Sequence, residues 1–136
     1  MNIYSLIYIH MYLLLHLFLI LVSLLALDAV YLSAIYTMFG QMIQGIQGSA
    51  MSLNIWGAVL CYAALTFGLY YFIIREKRSP LDAGLLGLVI YAVYETTSLA
   101  TLKKWDPMVA LMDSVWGFVL FYLVATAVYF LEKYLQ

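Results

Sequence analysis

Residues 91–116 read YAVYETTSLATLKKWDPMVALMDSVW: an apolar helix carrying Glu95, a short polar turn, and a second apolar helix that opens with Asp113. An ionisable side chain inside a membrane-spanning segment is costly to place, so two such acids mark a candidate functional site. The same texture, long apolar runs broken by brief polar turns, extends outward over the whole chain.

Composition points the same way. The 136 residues are 67% hydrophobic and 10% charged, with a mean hydropathy of +1.00, whereas a soluble domain carries about 25% charged residues. Too few polar groups are present to cover a surface facing water, so the lipid bilayer is the expected solvent and first partner. The thirteen Tyr, three Trp and seven Phe suit that setting, because amphipathic rings favour the membrane interface. A net charge of −1 argues against nucleic acid, which would call for a basic patch. Cys61 is the only cysteine and lies in an apolar run, leaving no disulfide framework and no metal-thiolate cluster. No Gly-rich phosphate loop, nucleophile elbow, HExxH or EF-hand pattern occurs. No cofactor, metal or catalytic residue is therefore assigned, and of the functional readings the enzymatic one has the least to build on.

Residues 3–27 hold no charge, and apolar character resumes after Asp28 as far as Phe39. That run exceeds the roughly 20 residues one span needs. Residues 1–11 are read as an interfacial or disordered lead-in, with Met11 as an alternative start. A signal peptide ending near Ala26 is disfavoured, because no Lys or Arg precedes it. Helix 1 is expected over 12–38. Residues 40–52, polar but uncharged and containing three Gly and three Gln, are expected to form a loop or re-entrant turn. Helix 2 is placed at 53–74 and ends at Arg75-Glu76-Lys77-Arg78, with Ser79-Pro80 preventing continuation. Helix 3 covers 81–102, and Gly84 and Gly87 in its first turns would permit close helix contact. Helix 4 covers 108–131, with Pro107 suited to a helix start. The expected architecture is an all-α, four-helix transmembrane bundle, a single integral membrane domain over 1–136. Arg75, Lys77, Arg78 and Lys133 fall on one side and Lys103 and Lys104 on the other, so the positive-inside bias places both termini in the cytoplasm.

Helical rise then gives depth. Glu95 lies roughly 12 Å below Lys103, Asp113 roughly 9 Å below Pro107, and Asp28 roughly 17 Å below Gly40. Asn54 sits near the same face. Three acids and an amide thus share one half of the membrane with nothing basic buried beside them. Each has a plainer reading: Asp28 as the cap of a break in helix 1, Glu95 as a knot satisfied by Thr96, Thr97 and Ser98, and Asp113 as a first-turn acid favoured by the helix dipole. One shared polar pocket accounts for all three at once. Tyr31 and Trp116 each follow an acid by three residues and would wall that pocket or donate hydrogen bonds to it. His10 and His16 are six apart and do not share a helix face, so they are not read as a metal-binding pair.

These residues carry a family resemblance. Asp28, Tyr31 and Leu32, then Asn54, then Tyr94, Glu95, Thr97, Ala100, Thr101, Leu102 and Trp105, and finally Asp113, Trp116 and Gly117 resemble the pattern of the membrane-protein family Domain of Unknown Function 2177, found in bacteria and large DNA viruses. The likeness covers residues 12–131. Glu95 stands where the family usually has Asp, Ser98 where it has Asn, and Asp106 separates Trp105 from Pro107. The resemblance implies a four-helix membrane fold and brings no established activity. The candidate ligand- or ion-binding set is Asp28, Tyr31, Asn54, Tyr94, Glu95, Thr97, Ser98, Asp113 and Trp116. Two functions fit it: a small carrier coupled to a proton or cation, and a membrane module that binds a lipid or other small amphiphile. A homo-oligomer is expected for transport, because four helices barely enclose a path.

Overall fold

The computed structural model describes residues 3–135. It is 87% helical, without strands among the described residues, and its four helices are each long and apolar enough to cross a membrane. They are α1 (Ile3–Gln47), α2 (Ile55–Leu69, widening into a π turn at Tyr70–Ile74), α3 (Pro80–Thr101) and α4 (Pro107–Leu135).

Three helix starts are fixed by local chemistry. The Asn54 side chain accepts from Gly57 N at 3.1 Å, Ser79 and Asp82 form a reciprocal capping box ahead of Pro80, and Asp106 Oδ1 accepts from Met108 N at 2.7 Å. Each satisfies backbone N–H groups that a helix terminus leaves unpaired. The α2–α3 turn is tied to α4 by the Tyr129 hydroxyl, which donates to Arg78 O at 2.6 Å.

α3 and α4 make the most extensive contact between helices, and glycine explains why. A Cβ on Gly87 would lie 2.1 Å from Gly117 O, and one on Gly117 would lie 2.7 Å from Gly87 O. The two backbones touch there, as small residues allow within membranes. Gly84 similarly accepts the Phe118 ring. Beside this hairpin, Ile20 and Leu24 of α1, Leu69 of α2, and Leu120, Phe121, Val124 and Val128 of α4 are fully buried in one apolar core.

α1 departs most from expectation. It runs unbroken through Asp28, which removes the reading of Asp28 as a cap at a helix break, and continues to Gln47 through residues expected to form a loop. The cause is tertiary. Lys104 Nζ donates to Gly45 O at 3.0 Å, Asp106 N to Met42 Sδ at 3.3 Å, and the Phe39 ring meets the Trp105 ring edge-on at 6.0 Å. The α3–α4 turn therefore docks on residues 39–45 and holds them helical, despite the poor helix propensity of glycine. Residues 3–11, expected as a lead-in, form the first turns of α1, while residues 1–2 lie outside the described residues. Forty-five residues make a rod of roughly 68 Å, more than twice the hydrocarbon thickness. Contacts with α4 run from Tyr12, against Glu132, to Tyr31, against Trp116, and those with the α3–α4 turn from Phe39 to Gly45, while Tyr4, Ile7 and Tyr8 of the first turns are exposed.

Candidate functional site

Glu95 is six residues before the end of α3 at Thr101, and Asp113 is six residues after the start of α4 at Pro107. At 1.5 Å per residue both lie about 9 Å from the turn, at one level in the membrane. Glu95 is fully buried. Its Oε2 accepts from Trp105 Nε1 at 2.7 Å; its Oε1 is buried without a hydrogen-bond partner, and the carboxyl lies within interaction range of Asp113 across the helix pair. Asp113 is itself partly exposed. The pair is thus buried on the Glu95 side and half-buried on the Asp113 side.

Asp28 comes from α1 and is 7% exposed. Both its oxygens are engaged: Tyr62 Oη of α2 donates to Oδ2 at 2.6 Å, and Trp116 Nε1 of α4 donates to Oδ1 at 2.9 Å. One carboxyl therefore ties three helices. Tyr31, one turn further along α1, stacks on the Trp116 indole with centroids 4.4 Å apart and planes 7° apart. Its buried hydroxyl is turned towards Asp113 without completing a well-aligned hydrogen bond. Tyr91 of α3 lies within electrostatic reach of Asp28 and Asp113, its ring beside Gly117.

The other sequence candidates lie elsewhere. Asn54 is exposed and its side chain caps α2. Tyr94 is 57% exposed, its ring edge-on to Trp105, and Thr97 is exposed. Ser98 is buried, but its hydroxyl donates to Tyr94 O at 2.9 Å. The hydroxyl knot around Glu95 does not form: Thr96 also bonds back to its own helix, at Ala92 O, the usual local competition for Ser and Thr in helices. Trp105 takes the role the hydroxyls were expected to fill. Trp116 serves Asp28 on a neighbouring helix rather than its own helix's acid.

Tyr62, Trp105 and Tyr91 join the site without having been picked out as binding candidates. The available signals were the indole N–H of Trp105 in the turn, and Tyr62 as a polar-tipped ring midway along an apolar helix. Beside Tyr62, an apolar groove of about 880 Å³ runs between α1 and α2, walled by Phe18, Leu21, Leu25, Val59, Thr66 and Phe67 among others. His16 and Glu132 form a separate cluster near the other end of the bundle.

Fold and site together define a four-span membrane protein with carboxyls buried between its helices. The predicted membrane protein family DUF2177 matches residues 12–130, and the chain belongs to that family. Searches among curated proteins and among solved structures returned no match.

Proposed function

We propose that the Glu95–Asp113 pair takes up a proton or small cation, and that the protein is a small proton- or cation-coupled membrane carrier. The observation that carries this reading is the buried Glu95 carboxyl, one oxygen of it without a hydrogen-bond partner, beside the Asp113 carboxyl, while the donors bonded to Glu95 and Asp28 among the described residues, Trp105, Tyr62 and Trp116, are all neutral. Two facing carboxyls in a low-dielectric setting cannot both hold a charge cheaply. A shared proton or a bound cation relieves this, as intramembrane acids do in pumps and transporters. The proton is favoured over a divalent ion, because no group of three or more His, Cys, Asp or Glu among the described residues is arranged to hold a metal.

A second reading draws on the groove. Its length beside α2, with the Tyr62 ring in its wall and the Tyr62 hydroxyl on Asp28, suits the chain of a lipid or small amphiphile whose binding would be sensed at the acids. The two readings separate in one experiment. Protein reconstituted in liposomes with an entrapped pH dye is compared with Glu95→Gln, which keeps an acceptor for Trp105 but cannot exchange a proton. Carrier function predicts gradient-driven flux that Glu95→Gln abolishes while helicity and thermal stability hold. No flux from the parent protein, or a destabilised Glu95→Gln with unchanged flux, would overturn it. The amphiphile reading predicts instead that Ala63→Trp, which fills the groove, removes protection by added lipid.

A further inference from the structure

His16 lies on the same α1 stripe as Ile20, Leu24 and Asp28, each four residues from the next. It is 12 residues from Asp28 and therefore roughly 18 Å away along the helix. Although histidine is polar, His16 is only 1% exposed. Its Nδ1 stands 2.7 Å from Tyr12 O. A carbonyl can only accept, so Nδ1 carries the hydrogen and Nε2 of the neutral ring is a lone-pair acceptor. That Nε2 is buried without a hydrogen-bond partner, and Glu132 Oε1 of α4 lies 3.8 Å from it. The Tyr12 hydroxyl donates to the same Oε1. An acceptor thus faces an acceptor inside the bundle. Next to them opens a cavity of about 300 Å³, walled by Tyr8, Met11, Leu15 and Leu19, roomy enough to admit water.

We propose that His16 and Glu132 form a proton-binding pair at the end of the bundle opposite the carboxyl cluster. The step is a simple transfer: hydronium in the cavity gives up a proton to the Nε2 lone pair and leaves as water. The new Nε2–H then donates to Glu132 Oε1, converting a neutral ring beside a carboxylate into a hydrogen-bonded ion pair. Among the described residues, the titratable groups around the pair include Tyr8 and Tyr12 on α1 and Tyr70 in the π turn after α2, with Tyr129 of α4 near Glu132 and near Asp82 of α3. The cations at this end, Arg75, Lys77, Arg78 and Lys133, are exposed. Between this pair and Asp28 lies the fully buried belt of Ile20, Leu24, Leu69, Leu120, Phe121 and Val124. The pair rests on observations separate from those behind the carrier reading and stands whether or not the protein moves protons across the membrane.

The chain has two histidines, so His10→Gln leaves His16 as the sole imidazole. The full chain carrying that change, labelled with 15N-histidine and held in lipid nanodiscs, is followed by NMR from about pH 8 to about pH 5. The expected spectrum shows the Nδ1–H tautomer at the alkaline end, with Nε2 gaining a proton as pH falls. Glu132→Gln, which removes the carboxylate partner of the new Nε2–H, should lower the protonated fraction of His16 read at the parent protein's midpoint. Tyr12→Phe, which frees the carboxylate oxygen from its competing donor, should increase that fraction and serves also if Glu132→Gln does not fold. An Nε2–H tautomer at the alkaline end, a ring that stays neutral throughout, or a titration that neither variant moves would overturn the proposal. None of these outcomes depends on flux, so failure here and failure of the carrier reading are distinguishable.

Discussion

Gly87→Ala tests the link between helix crossing and site. The added Cβ would lie 2.1 Å from Gly117 O and 2.7 Å from Phe121 Cγ, whereas ordinary contact begins near 3.4 Å. The closer atom is backbone and cannot rotate away, so α3 and α4 must part by roughly 1 Å, forfeiting dispersion contacts along the crossing. Overpacking of this kind costs about 1–3 kcal/mol, offset by up to about 1 kcal/mol from replacing a helical glycine by alanine. With the full offset the net loss should be about 0–2 kcal/mol, against a gain in the control. Gly68→Ala is the control, because a Cβ there meets nothing within 4 Å; it should stabilise α2 by about 0.5–1 kcal/mol. Equilibrium unfolding in bicelles, read by far-UV circular dichroism, compares the two variants under identical conditions. If Gly87→Ala proves as stable as Gly68→Ala, the direct backbone contact at the α3–α4 crossing is wrong. The placement of Asp113, one turn from Gly117, would then lose its structural basis.

Two further outcomes are expected. Asp28→Ala leaves the Tyr62 hydroxyl and Trp116 indole N–H without their acceptor and should cost about 1–3 kcal/mol at membrane hydrogen-bond strengths; a double-mutant cycle with Tyr62→Phe should show coupling of about 0.5 kcal/mol or more, and a neutral Asp28→Ala would remove the three-helix tie. For orientation, reporters fused after Gln136 and inserted within residues 76–79 should both read cytoplasmic, whereas opposite answers would require an odd number of spans between them.

The all-helical class and four spans were legible because 20-residue apolar runs have few other uses, and the stops at residues 75–80 and 103–107 combine charge with proline. The far end of α1 was not legible. Residues 40–47 contain Gly40 and Gly45 with no apolar period, and what keeps them helical is a turn some 60 positions later, through Lys104 and Asp106. The acids drew attention because charge stands out in an apolar chain, but their partners did not. Spacing of three placed Trp116 with Asp113, since position along one helix says nothing about which neighbour a long side chain reaches. His16 was weighed only against His10, while its counterpart Glu132 lies 116 positions away and meets it only because α1 and α4 run antiparallel.

The three acids are not equivalent, and the difference suggests how the molecule could respond as a unit. Asp28 has both oxygens occupied by donors from α2 and α4 and therefore acts first as a tie. Glu95 keeps one oxygen without a hydrogen-bond partner beside Asp113, and those two belong to the α3–α4 hairpin, whose backbones touch at Gly87 and Gly117. The pair proposed to take up a proton is thus mounted on the helix pair whose backbones touch. α1 is attached to that hairpin through the apolar core at Ile20 and Leu24 and, at separated levels, by side-chain contacts: Tyr12 and His16 against Glu132, Asp28 and Tyr31 against Trp116, and residues 39–45 against the α3–α4 turn. From Ile3 to Phe39 it contains neither proline nor glycine, so it lacks the usual sites of a sharp kink. An axial shift of α1 against α4 must therefore break the Asp28–Trp116 bond and the His16–Glu132 approach together. Whatever binds at one end and favours one position of α1 must, by linkage, change affinity at the other. The measurement is direct: a double-mutant cycle of Asp28→Asn with Glu132→Gln, read as thermal stability, should show coupling between the two although they lie in opposite halves of the bundle, and strict additivity would refute it.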